Sequence, residues 1–231
     1  MLKLSPILLA LLYGLLMWRF SVWRTGRELD ARSVPLKDAR LDPVLDRMAR
    51  ALDVGHIPVN IYEVAPVNGL AAPDGRIFLT RGMYEAFRQN RISAEELASV
   101  IAHELGHVAL GHTRKRMIDF TGQNAVRMVL MGVLGRFLPG IGPWLANLVA
   151  TALAARLSRG DEYEADAWAS ALLIKSGVGT GGQKSLFGKL EHLTGNAGAG
   201  MPAWLLSHPR SPDRVAAIEA NERRWGVTGP G

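Results

Sequence analysis

The chain has 231 residues, of which 48% are hydrophobic and none is cysteine. This length and composition suit one folded domain with an added anchor segment, and the lack of cysteine excludes disulfides and thiolate metal ligands. The formal net charge is +6, but the basic residues are scattered and no nucleic-acid-binding motif accompanies them. We therefore expect no nucleic-acid partner and attribute the positive charge to attraction towards an anionic lipid bilayer.

The N-terminal segment is the first predicted element. Residues 4–18 are apolar apart from Ser5. A snorkelling Arg19 and interfacial tryptophans would extend this run to about 20 residues, the length of one membrane span. No small-residue cleavage site follows, which argues against a cleaved signal peptide. We predict a transmembrane anchor over residues 1–24, with an uncleaved signal as the alternative, and a linker over residues 25–40.

The basic residues around this segment predict its orientation. Arg19, Arg24, Arg27 and Arg32 follow the apolar run, whereas only Lys3 and the α-amine precede it. Because basic flanks stay on the cytoplasmic side, we expect a single-pass protein of a bacterial-type inner membrane, with its main domain in the cytoplasm. A secreted or periplasmic location is the alternative.

Two β-prone runs come next, Val59–Val64 and Ile77–Thr80, with Asn-Gly and Asp-Gly turn signals between them. They predict a small sheet packed against the following helix. Asn68 lies in the first of these turns, where hairpin chemistry and support for a binding cleft are equally good interpretations.

A helix with two histidines is the most informative predicted element. Ser93 and Glu96 form a capping-box pattern, and the apolar residues beyond them recur at helical spacing. His103 and His107 are four positions apart, so they share one helical face and can both bind one metal ion. Glu104 lies beside them, where its carboxylate can exchange protons with a metal-activated water. The alternative is a pair of ordinary histidines, which would leave Glu104 as a costly buried charge.

An apolar interval over residues 125–157 contains only three charged residues, all of them arginine. Proline and glycine at positions 139–143 break it into two halves. One interpretation is a helical hairpin that enters or lies on the membrane. We favour core or membrane-surface helices, because each half is too short to span a bilayer comfortably.

An acidic segment over residues 158–166 begins the next predicted helix. Zinc in hydrolases takes three protein ligands, and without cysteine the third must be histidine, aspartate or glutamate. Glu162 and Asp166 share a helical face, which suits Glu162 as a ligand and Asp166 as the acceptor for a ligand histidine N–H. Asp161 and Glu164 point elsewhere and are expected to be solvated or paired with arginine. Taken alone, the segment also fits an exposed acidic first turn that favours the helix dipole.

The C-terminal part contains two further candidate site residues, His208 and Arg214, beyond a flexible loop at Gly195–Gly200. The His208 imidazole could stabilise an oxyanion near a metal site, with a loop histidine stiffened by the following proline as the alternative. Arg214 could brace Glu162 or Asp166 through a bidentate ion pair.

Together these motifs resemble the gluzincin metallopeptidases, in particular the HtpX-like and CAAX prenyl endopeptidase-type families. His-Glu-Leu-Gly-His is followed by Ser-Arg-x-x-Glu-x-x-Ala-Asp, and the similarity extends to residues 68–82 upstream and 207–214 downstream. The resemblance covers most of residues 40–220, with its motifs in the order found in the family.

The resemblance implies an α+β, mostly helical fold. Its zincin-type metallopeptidase domain would cover residues 41–225, with a small sheet packed on the helix that contains the two histidines. By the same resemblance, His103, His107 and Glu162 bind one zinc ion per subunit, and Glu104 is the general base and acid.

An edge strand commonly binds substrate in zinc peptidases, through main-chain hydrogen bonds that demand little of the substrate sequence. We predict this strand in the second β-prone run, at Arg76, Ile77, Phe78, Leu79 and Thr80.

These observations predict a membrane-anchored zinc metalloendopeptidase that cleaves misfolded or membrane-associated proteins. A non-enzymatic, membrane-tethered chaperone with the same fold is one alternative, and a secreted or periplasmic protease-chaperone is another. A CAAX-type processing enzyme would need a larger multi-span barrel than this chain can build.

Overall fold

The computed structural model describes most of the chain, in five stretches: residues 5–72, 74–112, 136, 141–194 and 212–227. Two compact units are present. One consists of Met1–Ala31 with Gly111–Gly160, and the other of Arg32–Leu110 with Asp161–Gly231. All of the candidate site residues belong to the second unit, which we call the catalytic unit.

Helices make up most of the described residues. In chain order they are α1 (Ser5–Ala31), α2 (Asp42–Leu52), α3 (Arg81–Arg88), α4 (Ala94–Ala109), α5 (Gly142–Lys175), α6 (Gly181–Thr194) and α7 (Pro212–Arg224). In the part of the chain that the structure describes, none of these helices combines the length and apolar character that a membrane span requires.

A four-stranded mixed sheet completes the catalytic unit. Its strands are β1 (Ser33–Pro35), β2 (Val59–Tyr62), β3 (Gly69–Ala71) and β4 (Ile77–Thr80), and they lie in the order β1-β2-β4-β3. β1 is antiparallel to β2, β2 is parallel to β4, and β3 is antiparallel to β4. The α+β, mostly helical prediction therefore agrees with the observed elements.

The prediction that the substrate strand at Arg76–Thr80 lies at an edge of the sheet is wrong. Ile77, Phe78, Leu79 and Thr80 are all buried, and β4 has a hydrogen-bonded neighbour on each side, so it is not an edge. A tight turn after Ala72 folds β3 back onto β4, and β3 thereby takes the edge position. The prediction failed because β3 is only three residues long and contains glycine and alanine, which have little strand propensity.

The predicted linker is also corrected. Residues 25–31 belong to α1, and Ser33–Pro35 form a strand whose register pairs Ser33 with Tyr62. The helix predicted to begin at the acidic segment starts earlier, at Gly142, and runs through to Lys175. Of the apolar interval 125–157, residues 125–135 and 137–140 lie outside the described residues.

The core of the catalytic unit lies between the sheet, α4 and the second half of α5. Its fully buried side chains include Ile77 and Leu79 from β4, Leu97 and Ile101 from α4, and Leu173 from α5. Because apolar burial is the main favourable term in folding, this contact fixes α4 against both the sheet and α5. The two helices that contain the candidate ligands are thus held together by the core itself.

The capping box predicted at the start of α4 is present. The Glu96 amide donates to Ser93 Oγ over 3.2 Å, and the Ser93 amide donates to Glu96 Oε2 over 2.8 Å. The same carboxylate accepts hydrogen bonds from Ser185 Oγ and Lys189 Nζ of α6, over 2.6 and 2.9 Å. Glu96 therefore joins the first turn of α4 to α6.

Replacing Glu96 with glutamine is expected to destabilise the fold by about 1 kcal/mol at pH 7, the usual value of a helix cap. Burial alone would raise the pKa of Glu96, but Lys189, Ser185 and the Ser93 amide lower it below the ordinary value of 4.5. The carboxylate thus contributes stability above pH 4.5 that is lost as pH falls through the folded-state pKa. Urea unfolding at pH 7 and pH 4 measures this contribution. The difference in free energy of unfolding between wild type and Glu96→Gln should be smaller at pH 4 than at pH 7. A constant difference would contradict the assignment.

Candidate metal centre

His103 and His107 lie one turn apart on α4, and both are buried. Their Nε2 atoms are 3.0 Å apart, and the two rings meet edge to face. The i, i+4 spacing therefore brings both imidazole nitrogens to one point in the core.

Glu162 of α5 reaches the same point. Its Oε2 is 3.3 Å from His103 Nε2, and its Oε1 is 3.5 Å from His107 Nε2. These three residues form a buried group whose ligand atoms are close enough to hold one metal ion. The two halves of the predicted site, which are far apart in the sequence, are thus brought together.

The three side chains fit a zinc ion in both chemistry and spacing. Zinc bonds of about 2.0–2.1 Å at tetrahedral angles would place neighbouring ligand atoms about 3.3 Å apart. The two Nε2 atoms are 3.0 Å apart, and each lies 3.3 or 3.5 Å from one of the two Glu162 oxygens, so these shortest separations lie around that value. Two imidazoles and one carboxylate are also the donor set found in catalytic zinc sites of hydrolases.

Gly106 is the site residue that the sequence interpretation missed. A Cβ atom at this position would lie 2.9 Å from the carbonyl oxygen of Ala165 and 3.2 Å from its Cα. The backbones of α4 and α5 can therefore approach closely only because residue 106 has no side chain. This approach is what allows Glu162, one turn before Ala165, to reach the two histidines.

Asp166 orients the first histidine. His103 Nδ1 lies 2.9 Å from Asp166 Oδ1, and a proton on Nδ1 leaves the Nε2 lone pair directed at the metal position. Burial alone would lower the pKa of His103, but its contacts with Asp166 and Glu162 raise the pKa to about 9. Asp166 and Glu162 therefore favour a positive charge at His103, which either a bound proton or a bound metal cation can supply.

Arg214 of α7 holds Asp166 with two hydrogen bonds. Its Nε donates to Asp166 Oδ2 over 2.5 Å and its Nη2 to Asp166 Oδ1 over 2.8 Å, while its Nη1 is 3.5 Å from Glu162 Oε2. Burial alone would raise the pKa of Asp166, but Arg214 and His103 lower it below its ordinary value. One guanidinium thus lies against two buried carboxylates and offsets part of their charge.

The remaining predicted residues are placed as follows. Glu104 is buried on α4 beside His103, and Glu164 is exposed as expected. Asp161 was expected to be solvated or paired with arginine, and its burial contradicts the first of these alternatives. Asn68 lies just before β3, and its Oδ1 accepts from the Gly69 amide over 3.0 Å. His208 and the loop Gly195–Gly200 lie outside the described residues.

Two histidines on one helix, completed by a glutamate from a second helix and supported by a small mixed sheet, define a zinc metallopeptidase. Comparison with known proteins identifies the family. The model of Peptidase family M48 matches residues 35–222, so the chain belongs to that family.

Individual relatives agree with this assignment. Metalloprotease YcaL of Escherichia coli is 31% identical over 196 residues, which cover 83% of this chain and 74% of the relative. Metalloprotease LoiP of the same organism is 32% identical over 190 residues, with 79% and 71% covered. A protease HtpX homolog of Bordetella avium is 28% identical over 228 residues, with 85% and 76% covered.

Proposed function

We propose that this metallopeptidase is a membrane-anchored endopeptidase in which His103, His107 and Glu162 hold the zinc and Glu104 is the general base and acid. The observation that supports it most strongly is the convergence of the three buried ligand atoms, with Glu104 on the same helix. The test is cleavage of casein by the wild-type and Glu104→Gln proteins, with and without a zinc chelator. Equal cleavage in all samples would exclude this function.

The roles of the side chains follow from their contacts. When bound, the zinc ion polarises the scissile carbonyl and lowers the pKa of the attacking water. Glu104 takes the proton of that water and later delivers it to the leaving amine. Asp166 keeps the His103 proton on Nδ1 through a 2.9 Å hydrogen bond. Arg214 holds Asp166 and offsets its charge.

The substrate backbone is proposed to bind along β3, the edge strand next to β4. β3 packs against α4, the helix with both histidines. The Asn68 carbonyl oxygen accepts from the Thr80 amide of β4, and the Ala72 amide donates to the carbonyl oxygen of Arg76, just before β4. Because strand residues alternate in direction, the Gly69 carbonyl and both main-chain groups of Ala71 point away from β4. An extended peptide can pair with these groups, and such pairing places few demands on its sequence.

Membrane attachment is proposed to occur through α1. Apolar side chains of this helix are exposed by half or more: Leu12, Tyr13, Leu15, Leu16, Phe20 and Trp23. Exposed arginines lie among and after them, which suits an anionic lipid surface. This location favours misfolded or membrane-associated proteins as substrates.

The basic flank after the apolar run favours a cytoplasmic catalytic unit, and a reporter fused at Gly231 distinguishes this from the periplasmic alternative.

The double substitution Leu15→Asp and Leu16→Asp is expected to release the protein from membranes, because each aspartate costs about 3 kcal/mol in a bilayer. Flotation with vesicles that contain anionic lipid measures this directly. The matched control is Val54→Asp, which places the same charge on an exposed apolar position of the catalytic unit. Wild type and the control should float with the vesicles, and the double variant should not. Flotation of all three proteins, or of none, would refute attachment through α1.

A further inference from the structure

Helix α6 contacts elements on both sides of the metal centre. Its Gln183 and Phe187 are four positions apart and face the Asp166–Arg214 pair. Neighbouring positions connect α6 to the helices on either side. Ser185 and Lys189 bind Glu96 of α4. Lys184, together with Thr180 just before α6, binds Glu222 of α7. The helix thus joins α4, which contains the two histidines, to α7, which contains Arg214.

Gln183 binds the backbone of α5 at Asp166. Its Nε2 donates to the Asp166 carbonyl oxygen over 3.2 Å, and its Oε1 accepts from Ser170 Oγ over 2.7 Å. The Gln183 side chain is buried, so both of its amide atoms depend on these protein partners. The amide therefore fixes the main chain of the residue that orients His103.

Phe187 binds the guanidinium of Arg214. The Arg214 Cζ atom lies 4.7 Å from the centre of the Phe187 ring, at a distance typical of a cation–π contact. Arg214 is only 1% exposed, so the ring covers a charge that water does not reach. With the two hydrogen bonds to Asp166, this contact leaves the guanidinium little freedom to rotate or shift.

The contacts form a continuous series that ends at the metal position. Phe187 contacts Arg214, Arg214 binds Asp166, and Asp166 binds His103. The same four residues line one small cavity, together with Gln183. A displacement of the ring would thus reach the His103 imidazole through two intervening side chains, and a displacement of the amide would reach it through Asp166 alone.

We propose that Gln183 and Phe187 are positioning residues, which hold Asp166 and Arg214 so that His103 presents Nε2 to the zinc. This inference rests on the proposed zinc site, and it goes beyond the ligands and the general base. Neither residue is one of the three ligands. Their expected effect is therefore on zinc affinity and on kcat, while KM for a peptide bound along β3 stays close to that of wild type.

The test uses the full chain and measures zinc affinity by competition with a chromogenic chelator. Phe187→Leu keeps an apolar side chain but removes the aromatic face, and Gln183→Leu removes both amide contacts. Each is expected to weaken zinc binding about three- to tenfold, somewhat less than the loss of a direct partner of a ligand. Phe187→Tyr keeps the ring and should restore wild-type affinity. The two leucine variants are independent, so poor folding of one leaves the other as a test.

The matched control is Lys189→Met, on the same helix but in contact with Glu96 instead of Arg214. Urea unfolding reports the stability of every variant beside its zinc affinity. Weaker zinc binding in the leucine variants alone, with recovery in Phe187→Tyr, supports the proposal. Unchanged affinity, or an equal loss in Lys189→Met, would overturn it and leave the proposed function intact. A wild-type protein that binds no zinc would overturn the proposed function itself.

Discussion

Replacing Glu104 with glutamine is expected to reduce peptide-bond cleavage by about 10²- to 10⁴-fold, the usual contribution of a general acid–base group. Glutamine has nearly the same shape, but it can neither accept the proton of the attacking water nor deliver it to the leaving amine. Zinc content and unfolding temperature should not decrease, because a neutral amide is easier to bury than a carboxylate. Casein cleavage, zinc analysis and thermal unfolding of the same preparation measure these three properties.

The control for this variant is Glu164→Gln, the same chemical change at an exposed position of α5. It should cleave casein at the wild-type rate. The comparison also separates the peptidase from the chaperone alternative, because a chaperone would keep its function without Glu104. Loss of cleavage with zinc retained would exclude that alternative. Wild-type cleavage by Glu104→Gln would instead remove Glu104 from the mechanism.

Replacing Gly106 with alanine is expected to disrupt the metal centre, although the added methyl group contacts neither zinc nor substrate. The methyl would lie 2.9 Å from the Ala165 carbonyl oxygen, so the backbones of α4 and α5 must separate. Glu162 and Asp166 lie on either side of Ala165 in α5 and would move away from the histidines with it. Zinc affinity should fall by about 10- to 100-fold, and stability by about 1–3 kcal/mol.

Gly160→Ala is the matched control, because Gly160 lies in α5, the helix of Ala165, and its Cβ would meet nothing within 4 Å. Alanine is the better helix former there, so stability should stay equal or rise by up to about 1 kcal/mol. Chelator competition and urea unfolding of both variants give the comparison. If Gly106→Ala binds zinc as tightly as wild type, the close approach of the two helices is not what forms the site.

The sequence predicted the metal centre well because its parts depend on local spacing. His103 and His107 are one helical turn apart, and so are Glu162 and Asp166, and an α-helix turns such a spacing into a shared face. Donor chemistry then limited the third ligand to a few residue types. The capping box at Ser93 was predictable for the same reason, since it involves residues only three positions apart.

The parts that were missed depend on contacts between distant segments. β3 is an edge strand because β4 pairs with β2 on one side and with β3 on the other, and the residues of β3 themselves give little indication of a strand. Gly106 appears in the sequence only as one letter of the His-Glu-Leu-Gly-His motif, and the approach of Ala165 is what gives it a role. The burial of Asp161 and the contacts of Gln183 and Phe187 likewise depend on which helices pack together. Helical periodicity shows that a face is buried, but it does not identify the partner of that face.

Arg214 lies in α7, the last helix that the structure describes, and this position has a consequence for biosynthesis. The histidines, Glu162 and Arg214 are made in that order, with long stretches of chain between them. A ribosome-bound chain that lacks α7 lacks the guanidinium that binds Asp166 and lies 3.5 Å from Glu162, so these two buried acidic groups would lose that positive charge. Metal uptake is coupled to folding in sites of this kind. The surroundings of the metal centre are therefore complete only after Arg214 has been made and α7 has docked.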